Sequence, residues 1–164
     1  DDLLVYRYHS GKYLLVVNAS NTDKDWEWLN KHLPPSGVTL GNISMKTSEA
    51  ALQGPSAEAI LKKVADFDPS TLKFFTFVDG VSVGGIPAIV SRTGYTGEDG
   101  FEIYVAWDKG AELWDALMEA GEEFGIMPVG LGAGTASGSR RAFPSSATSL
   151  PTTWDPWRRA TVSS

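Results

Sequence analysis

Ser91-Arg92-Thr93-Gly94-Tyr95-Thr96-Gly97-Glu98-Asp99-Gly100-Phe101-Glu102 is the stretch on which the reading of this chain turns. Three glycines in seven residues, Gly94, Gly97 and Gly100, permit tight turns and a close approach of backbone to a ligand. Residues 86–91 before it and 101–105 after it are apolar and β-rich, so the loop joins two strands. A rigid frame then presents Tyr95 and three carboxylates, Glu98, Asp99 and Glu102. A carboxylate so placed suits a planar ligand edge with neighbouring N–H donors, because two parallel hydrogen bonds fix both position and orientation. The amino-pyrimidinone edge of a pterin is such an edge. Taken alone, the same residues also read as a solvated acidic turn.

Upstream, residues 3–8 and 13–17 form a hairpin around His9-Ser10-Gly11-Lys12. Asn21 or Thr22 caps a helix over 23–32 that carries Trp26 and Leu29, and Pro34-Pro35-Ser36-Gly37 ends it. Strands are expected at 38–44 and 50–53. Gly54-Pro55-Ser56 opens a helix over 57–65 with Ile60, Leu61 and Val64 on one side. Residues 74–78 and 81–83 flank Asp79-Gly80, a hairpin signal. Downstream, Asp108 caps an amphipathic helix over 109–120, closed by Gly121, with Leu113, Leu117 and Ala120 as its buried stripe. Residues 127–132 read as one more short strand. Hairpins mixed with isolated helices indicate an α+β fold, antiparallel or mixed sheets with packed helices, rather than a βαβ series.

The 164 residues suffice for one hydrophobic core, and 42% hydrophobic with 21% charged residues is an ordinary globular mixture. A net charge of −6 without a basic stripe gives no electrostatic reason to hold nucleic acid. No apolar run is long enough to span a membrane and no signal-peptide pattern is present, so no membrane partner is expected. The chain has no cysteine, hence no disulfide, thiolate metal site or cysteine nucleophile. His9 and His32 lie far apart without metal-like spacing, and no metal is expected. The sequons at Asn18 and Asn42 carry little weight without a secretory signal. The opening, Asp1-Asp2-Leu3-Leu4-Val5-Tyr6-Arg7-Tyr8, is already a strand without an initiator Met, so a preceding part is expected to be missing. Residues 134–164 hold four Arg, one Asp and no Lys amid Ser, Thr, Ala and Pro. This cationic stretch lacks an apolar period and is expected to be an irregular tail to the domain formed by residues 1–133.

The segment from Arg92 to Glu102 closely resembles the signature of glycine cleavage T-proteins and their folate-binding relatives. Other pieces resemble the family in the family's order: Asp1-Asp2-Leu3-Leu4-Val5-Tyr6-Arg7, Tyr13-Leu14-Leu15-Val16-Val17-Asn18-Ala19-Ser20-Asn21, Ala51-Leu52-Gln53-Gly54-Pro55, and Pro128-Val129-Gly130-Leu131-Gly132-Ala133. The resemblance covers residues 1–133, roughly a third of a full family member. It implies an aminomethyltransferase. The lipoyl arm of the H-protein would deliver an aminomethyl group, ammonia would leave, and the one-carbon unit would pass to tetrahydrofolate, in the cytoplasm. It also implies site residues. Asp2 matches the carboxylate near the reacting folate nitrogens, Asn18 an asparagine lining the same pocket, Tyr95 a tyrosine at the folate, and Glu102 the glutamate that reads the pterin edge. Read alone, Asp2 is also a strand-end acid, Asn18 a turn residue, Tyr95 a packing residue and Glu102 a solvent-facing strand residue. Folate-binding relatives without transferase activity, and demethylating dehydrogenases with this kind of folate domain, are the alternative readings.

After Ala133 the chain departs from the family, which continues with Arg-Asp, a Ser or Thr, then Leu-Arg-Leu-Glu-Ala-Gly. Here Gly134-Thr135-Ala136-Ser137-Gly138 follows, and the family's folate-proximal arginine is replaced by Gly134. A one-nucleotide loss explains the change: AGG GAC AGC CTC AGG, which encodes Arg-Asp-Ser-Leu-Arg, becomes GGG ACA GCC TCA GG and reads Gly-Thr-Ala-Ser-Gly. The tail is therefore expected to be a frameshift product, with a natural disordered tail as the competing reading, and the chain an inactive fragment.

Overall fold

The computed structural model describes residues 2–130 and 160–163. β1 (Leu4–His9) and β2 (Lys12–Val16) pair antiparallel as a two-stranded hairpin, its turn closed by Gly11 at φ 94°. α1 (Thr22–Lys31) follows and buries none of its residues. The remaining elements are β3 (Thr47–Gln53), α2 (Ala57–Val64), β4 (Phe77–Val83), β5 (Ile86–Ser91), β6 (Gly100–Ala106), α3 (Gly110–Gly121), β7 (Met127–Val129) and β8 (Ala160–Ser163). Six strands form one sheet in the order β4-β5-β6-β3-β8-β7. Its pairs are antiparallel except β3 with β8, which run parallel. The α+β class read from the sequence is the one observed.

β6 is buried on both faces, and its alternation separates two environments. Phe101, Ile103 and Val105 point into the apolar core with Ala50 and Leu52 of β3 and Val90 of β5. Ile60 and Leu61 of α2, and Leu113 and Leu117 of α3, close that core from one side. Each of these four helix side chains is fully buried, worth about 1.5–3 kcal/mol apiece. The opposite face of the sheet carries polar rows. Phe77, Ser91, Glu102 and Ala51 are successive cross-strand neighbours, as are Asp79, Ile89, Tyr104 and Glu49. The hairpin lies over this face: Tyr6 stacks on Phe77 at 4.9 Å and meets Tyr104 edge-on at 6.1 Å.

Several elements differ from their sequence expectation for identifiable reasons. Residues 38–44 form no strand; Val38 and Ile43 are exposed, Gly37 sits at φ 84°, and the stretch finds no ladder partner among the described residues. Asp79-Gly80 is not a hairpin turn. β4 runs through it, with Gly80 at φ 76° where the register to β5 slips, so it is a bulge. The turn is Gly84-Gly85, both at positive φ. A Cβ on Gly84 would lie 2.9 Å from that of Ala116, so the turn packs tightly under α3. The strand expected from residue 74 starts only at Phe77, because Phe75 adopts a left-handed φ of 59°. Neither Asn21 nor Thr22 caps α1 through its side chain, and α3 starts from Lys109 after a short 3₁₀ turn rather than from an Asp108 cap. Gly121 ends α3 from within, and the left-handed residue beyond it is Gly125 at φ 70°. Of the stretch 134–164, expected to be irregular, the described part is β8, whose Thr161 and Val162 are β-branched. Residues 131–159, including the remainder of the strand expected at 127–132 and the start of the proposed frameshift, lie outside the described residues.

The glycine loop is held from beneath by Gln53. This side chain is 1% exposed at the end of β3. Its Nε2 donates to the carbonyls of Thr93 at 3.2 Å and Phe101 at 3.3 Å, and Thr96 Oγ1 donates to its Oε1 at 3.2 Å. The Gly54 N–H donates to the Asp99 carbonyl at 2.8 Å. A Cβ at Gly94 or at Gly100 would overlap the Gln53 amide, at 2.5 Å in the case of Gly100. These two glycines are therefore required by space. Gly100→Ala is expected to cost about 2 kcal/mol by overpacking. Chemical denaturation measures it, and the penalty should shrink in a Gln53→Ala background, where the amide is gone. Equal penalties in both backgrounds would show that Gln53 is not what Gly100 accommodates.

Candidate functional site

Glu102 is 5% exposed and turned toward the hairpin, not toward solvent. Thr93 Oγ1 donates to its Oε2 at 2.5 Å and Tyr104 Oη donates to the same oxygen at 3.2 Å. Ser91 Oγ lies 2.6 Å from Thr93 Oγ1, and Tyr6 Oη donates to Ser91 Oγ at 2.8 Å. β5 and β6 supply this cluster by register, since Ser91 faces Glu102 across the ladder. Burial pushes the Tyr104 phenol far above its ordinary value, reinforced by the charges of Glu49 and Glu102, so it stays a donor. Tyr8 is pushed up to about 12, by burial first and by its hydrogen bond to Asp79 second.

Arg92 closes the loop from the other side. Its Nε and Nη2 grip the carboxylate of Asp99, at 2.9 Å and 2.5 Å, and Nη2 also meets Glu58 at 2.7 Å. Nη1 donates to the carbonyls of Leu72 at 3.1 Å and Pro69 at 3.4 Å, and the guanidinium sits 5.1 Å from the Phe101 ring centre. The hydrogen bond that Arg92 gives to Asp99, with that to Glu58, raises the Arg92 pKa against the opposing effect of burial. Residues 93–98 are thus a loop whose two ends are joined by a bidentate ion pair.

Asp2 and Asn18 come together at the open end of the hairpin, where Asn18 Nδ2 donates to the Asp2 carbonyl at 3.1 Å. Both are more accessible than Glu102, with Asp2 exposed and Asn18 half-buried. Tyr95 is 59% exposed at the loop tip. The structure therefore brings Asp2 to Asn18, and Glu102 to the underside of the hairpin; among the described residues, none of the four candidates lines the cleft between hairpin and sheet. That cleft, of about 390 Å³, is lined among others by Val16, Val17, Ala19, Met45, Tyr104 and Trp107. Tyr104 stands between that cleft and Glu102. Among the described residues no cluster of three His, Asp or Glu could hold a metal ion, and no helix is long and apolar enough to cross a membrane.

Gln53, Arg92, Thr93, Tyr104 and Tyr6 were not singled out by the sequence. Four of them lie inside segments that carry the family resemblance, which was the available signal; Tyr104 lies two residues past Glu102, on the same face by strand alternation.

An acidic side chain sunk among hydroxyls beneath a glycine loop, on a sheet with helices on its far side, marks an α+β domain with a buried acceptor. The sequence model of one family, described as the GCVT N-terminal domain, matches residues 1–155, and the chain belongs to that family. Relatives include an aminomethyltransferase of Geobacillus sp. strain WCH70, 53% identical over 133 residues. Others are those of Caldanaerobacter subterraneus subsp. tengcongensis, at 51%, and Bacillus cereus strain AH187, at 53%. Each alignment covers 81% of this chain and 36% of the relative, so the chain spans about a third of the length of these enzymes.

Two outcomes follow from this geometry. The phenols of Tyr104 and Tyr8 ionise near pH 10 in an unfolded chain but at higher pH when folded. Their neutral forms then contribute stability below about pH 10 that is lost as the pH rises beyond it. The melting temperature should fall above about pH 10, and less steeply in Tyr104→Phe; an unchanged alkaline slope in that variant would remove Tyr104 as the cause. Arg92→Gln should cost about 2 kcal/mol, because the carbonyls of Leu72 and Pro69 and the Asp99 carboxylate lose their donor. Hydrogen exchange should then quicken across 93–98 ahead of the sheet.

Proposed function

We propose that the chain carries part of the tetrahydrofolate site of an aminomethyltransferase of the glycine cleavage system. In the whole enzyme, the H-protein would present an aminomethyl group on the sulfur of its lipoyl arm. Ammonia would leave, the carbon–sulfur bond would break to return the thiol, and the methylene carbon would bridge two folate nitrogens. No electron changes hands. The observation that carries this reading is the buried, hydroxyl-anchored carboxylate of Glu102, an acceptor suited to the paired N–H donors of a pterin edge. The names of the relatives support the reaction class.

Each candidate residue has a distinct task in this scheme. Glu102 orients the pterin. Asp2 stabilises positive charge that develops at the reacting nitrogens, with Asn18 holding the backbone beside it. Tyr95 offers an aromatic face at the loop tip. Holding two large substrates in attack geometry supplies most of the rate. The reaction belongs to the cytoplasm, where folate and the lipoylated partner would meet. By itself this chain should bind folate weakly and not turn it over, since Asp2 and Tyr95 stand exposed and a half-built site loses pre-organisation.

Tetrahydrofolate should raise the melting temperature of the chain in a concentration-dependent way. Glu102→Gln keeps the shape but exchanges one acceptor oxygen for a donor, and should weaken binding about 10- to 100-fold. A chain whose melting temperature ignores tetrahydrofolate, or a Glu102→Gln variant that binds as well as the parent, would end the proposal.

A further inference from the structure

The hydroxyls around Glu102 have a direction that follows from counting protons. Each of Tyr6, Ser91, Thr93 and Tyr104 has a single hydroxyl proton to give. Thr93 and Tyr104 give theirs to Glu102 Oε2. Thr93 can then only accept from Ser91, 2.6 Å away, and the alternative acceptor for Ser91, the Glu102 carbonyl, lies at 3.5 Å. Ser91 accepts in turn from Tyr6 at 2.8 Å, shorter than the 3.1 Å between the Tyr6 and Tyr104 oxygens. The chain therefore runs one way, from Tyr6 through Ser91 and Thr93 to the carboxylate. Bonds aligned in this manner polarise one another.

Tyr6 belongs to a different element from the other three. It is 5% exposed in the middle of β1, its ring stacked on Phe77 of β4, and the same strand leads back to Asp2. We propose that Tyr6 is a positioning residue: its hydroxyl begins the hydrogen-bond chain that aims Glu102, and so fixes β1, which Asp2 precedes by two residues, against the acid that would read the ligand. The proposal rests on the folate reading above and adds a residue to that site. The stack on Phe77 holds the hairpin to the sheet without setting its register finely, because stacked rings slide at little cost. The hydroxyl, by contrast, is directional, and its shorter bond is to Ser91. Removing it leaves the ring in place and takes away the donor that holds the Ser91 oxygen, so the Ser91 hydroxyl can rotate toward the Glu102 carbonyl, which loosens Thr93 and hence the carboxylate.

The test is a calorimetric titration of tetrahydrofolate into the full chain and its variants, with melting temperatures recorded alongside. Tyr6→Phe should keep its melting temperature within a few degrees and weaken binding about 3- to 10-fold. In a Glu102→Gln background the same change should alter binding less than about twofold, because a residue acting through Glu102 has nothing left to aim. Thr93→Val should weaken binding by a similar factor, and Thr93→Ser, which restores the hydroxyl, should recover it. Tyr6→Phe binding as tightly as the parent overturns the inference alone. So does an equal loss with and without Glu102, which would make Tyr6 a packing residue. A parent chain that gives no heat with tetrahydrofolate overturns the folate reading, and this inference with it.

Discussion

The amide of Gln53 occupies the space that two glycine side chains would have filled, and the shape of the loop above it follows from that fact. With Gly94 and Gly100 on either side, the amide reaches the carbonyls of Thr93 and Phe101 from below while Thr96 reaches down to it. A glycine costs conformational entropy, about 0.5–1 kcal/mol relative to alanine. Here a buried amide with three hydrogen bonds, each worth about 1 kcal/mol net, more than offsets that cost. The arrangement also fixes direction: the loop leaves β5 at Ser91 and re-enters at Gly100 with Thr93 and Glu102 on the same side. Arg92 and Asp99 then join its ends. Without the amide, the ion pair would span a gap with no floor, and exposed pairs alone hold little.

Glu102 is the consequence of two demands on one strand. Residues 101, 103 and 105 of β6 face the helices and make the apolar core, so residues 102 and 104 must face the other way. In a sheet with one solvated face, an acid at 102 would be unremarkable. The hairpin β1–β2 covers that face, and the acid is buried with it. Desolvating a carboxylate costs several kcal/mol. Two hydroxyls on one oxygen, each a hydrogen bond to a charged group worth about 1.5–3 kcal/mol, are of the size needed to hold it there. A fold that only needed a stable strand would place an apolar residue at 102; the folate reading proposed above gives the acid a use.

The same contrast explains what could be read from the sequence. The helix stripes Ile60-Leu61 and Leu113-Leu117, the first hairpin and the strands about the loop follow from spacing and turn residues, and the structure has them. Asp79-Gly80 misled because a bulge and a hairpin turn both want a residue at positive φ; only the neighbouring strand, which pairs across the bulge, tells them apart. Residues 38–44 had the composition of a strand and, among the described residues, no partner, a non-local condition that no window of sequence contains. Glu102 was legible as a candidate through its loop. Its partners were not, because Tyr6 lies 85 residues from Ser91 and 98 from Tyr104, and only the docked hairpin makes them neighbours.

Burial also ranks the candidate residues by what they can contribute. Coulombic and hydrogen-bonding energies between fixed groups grow several-fold as the effective dielectric falls from water toward about 20 or below. Glu102 works in that regime, behind Tyr6 and Tyr104. Asp2 and Tyr95 do not; both face solvent here, where a charge or a ring face discriminates weakly between ligands. On the folate reading proposed above, recognition of a ligand edge would begin at Glu102, with the exposed residues gaining strength only as the ligand excludes water from them. On that reading the buried acceptor would select, and the residues at the rim would act on what it has already oriented.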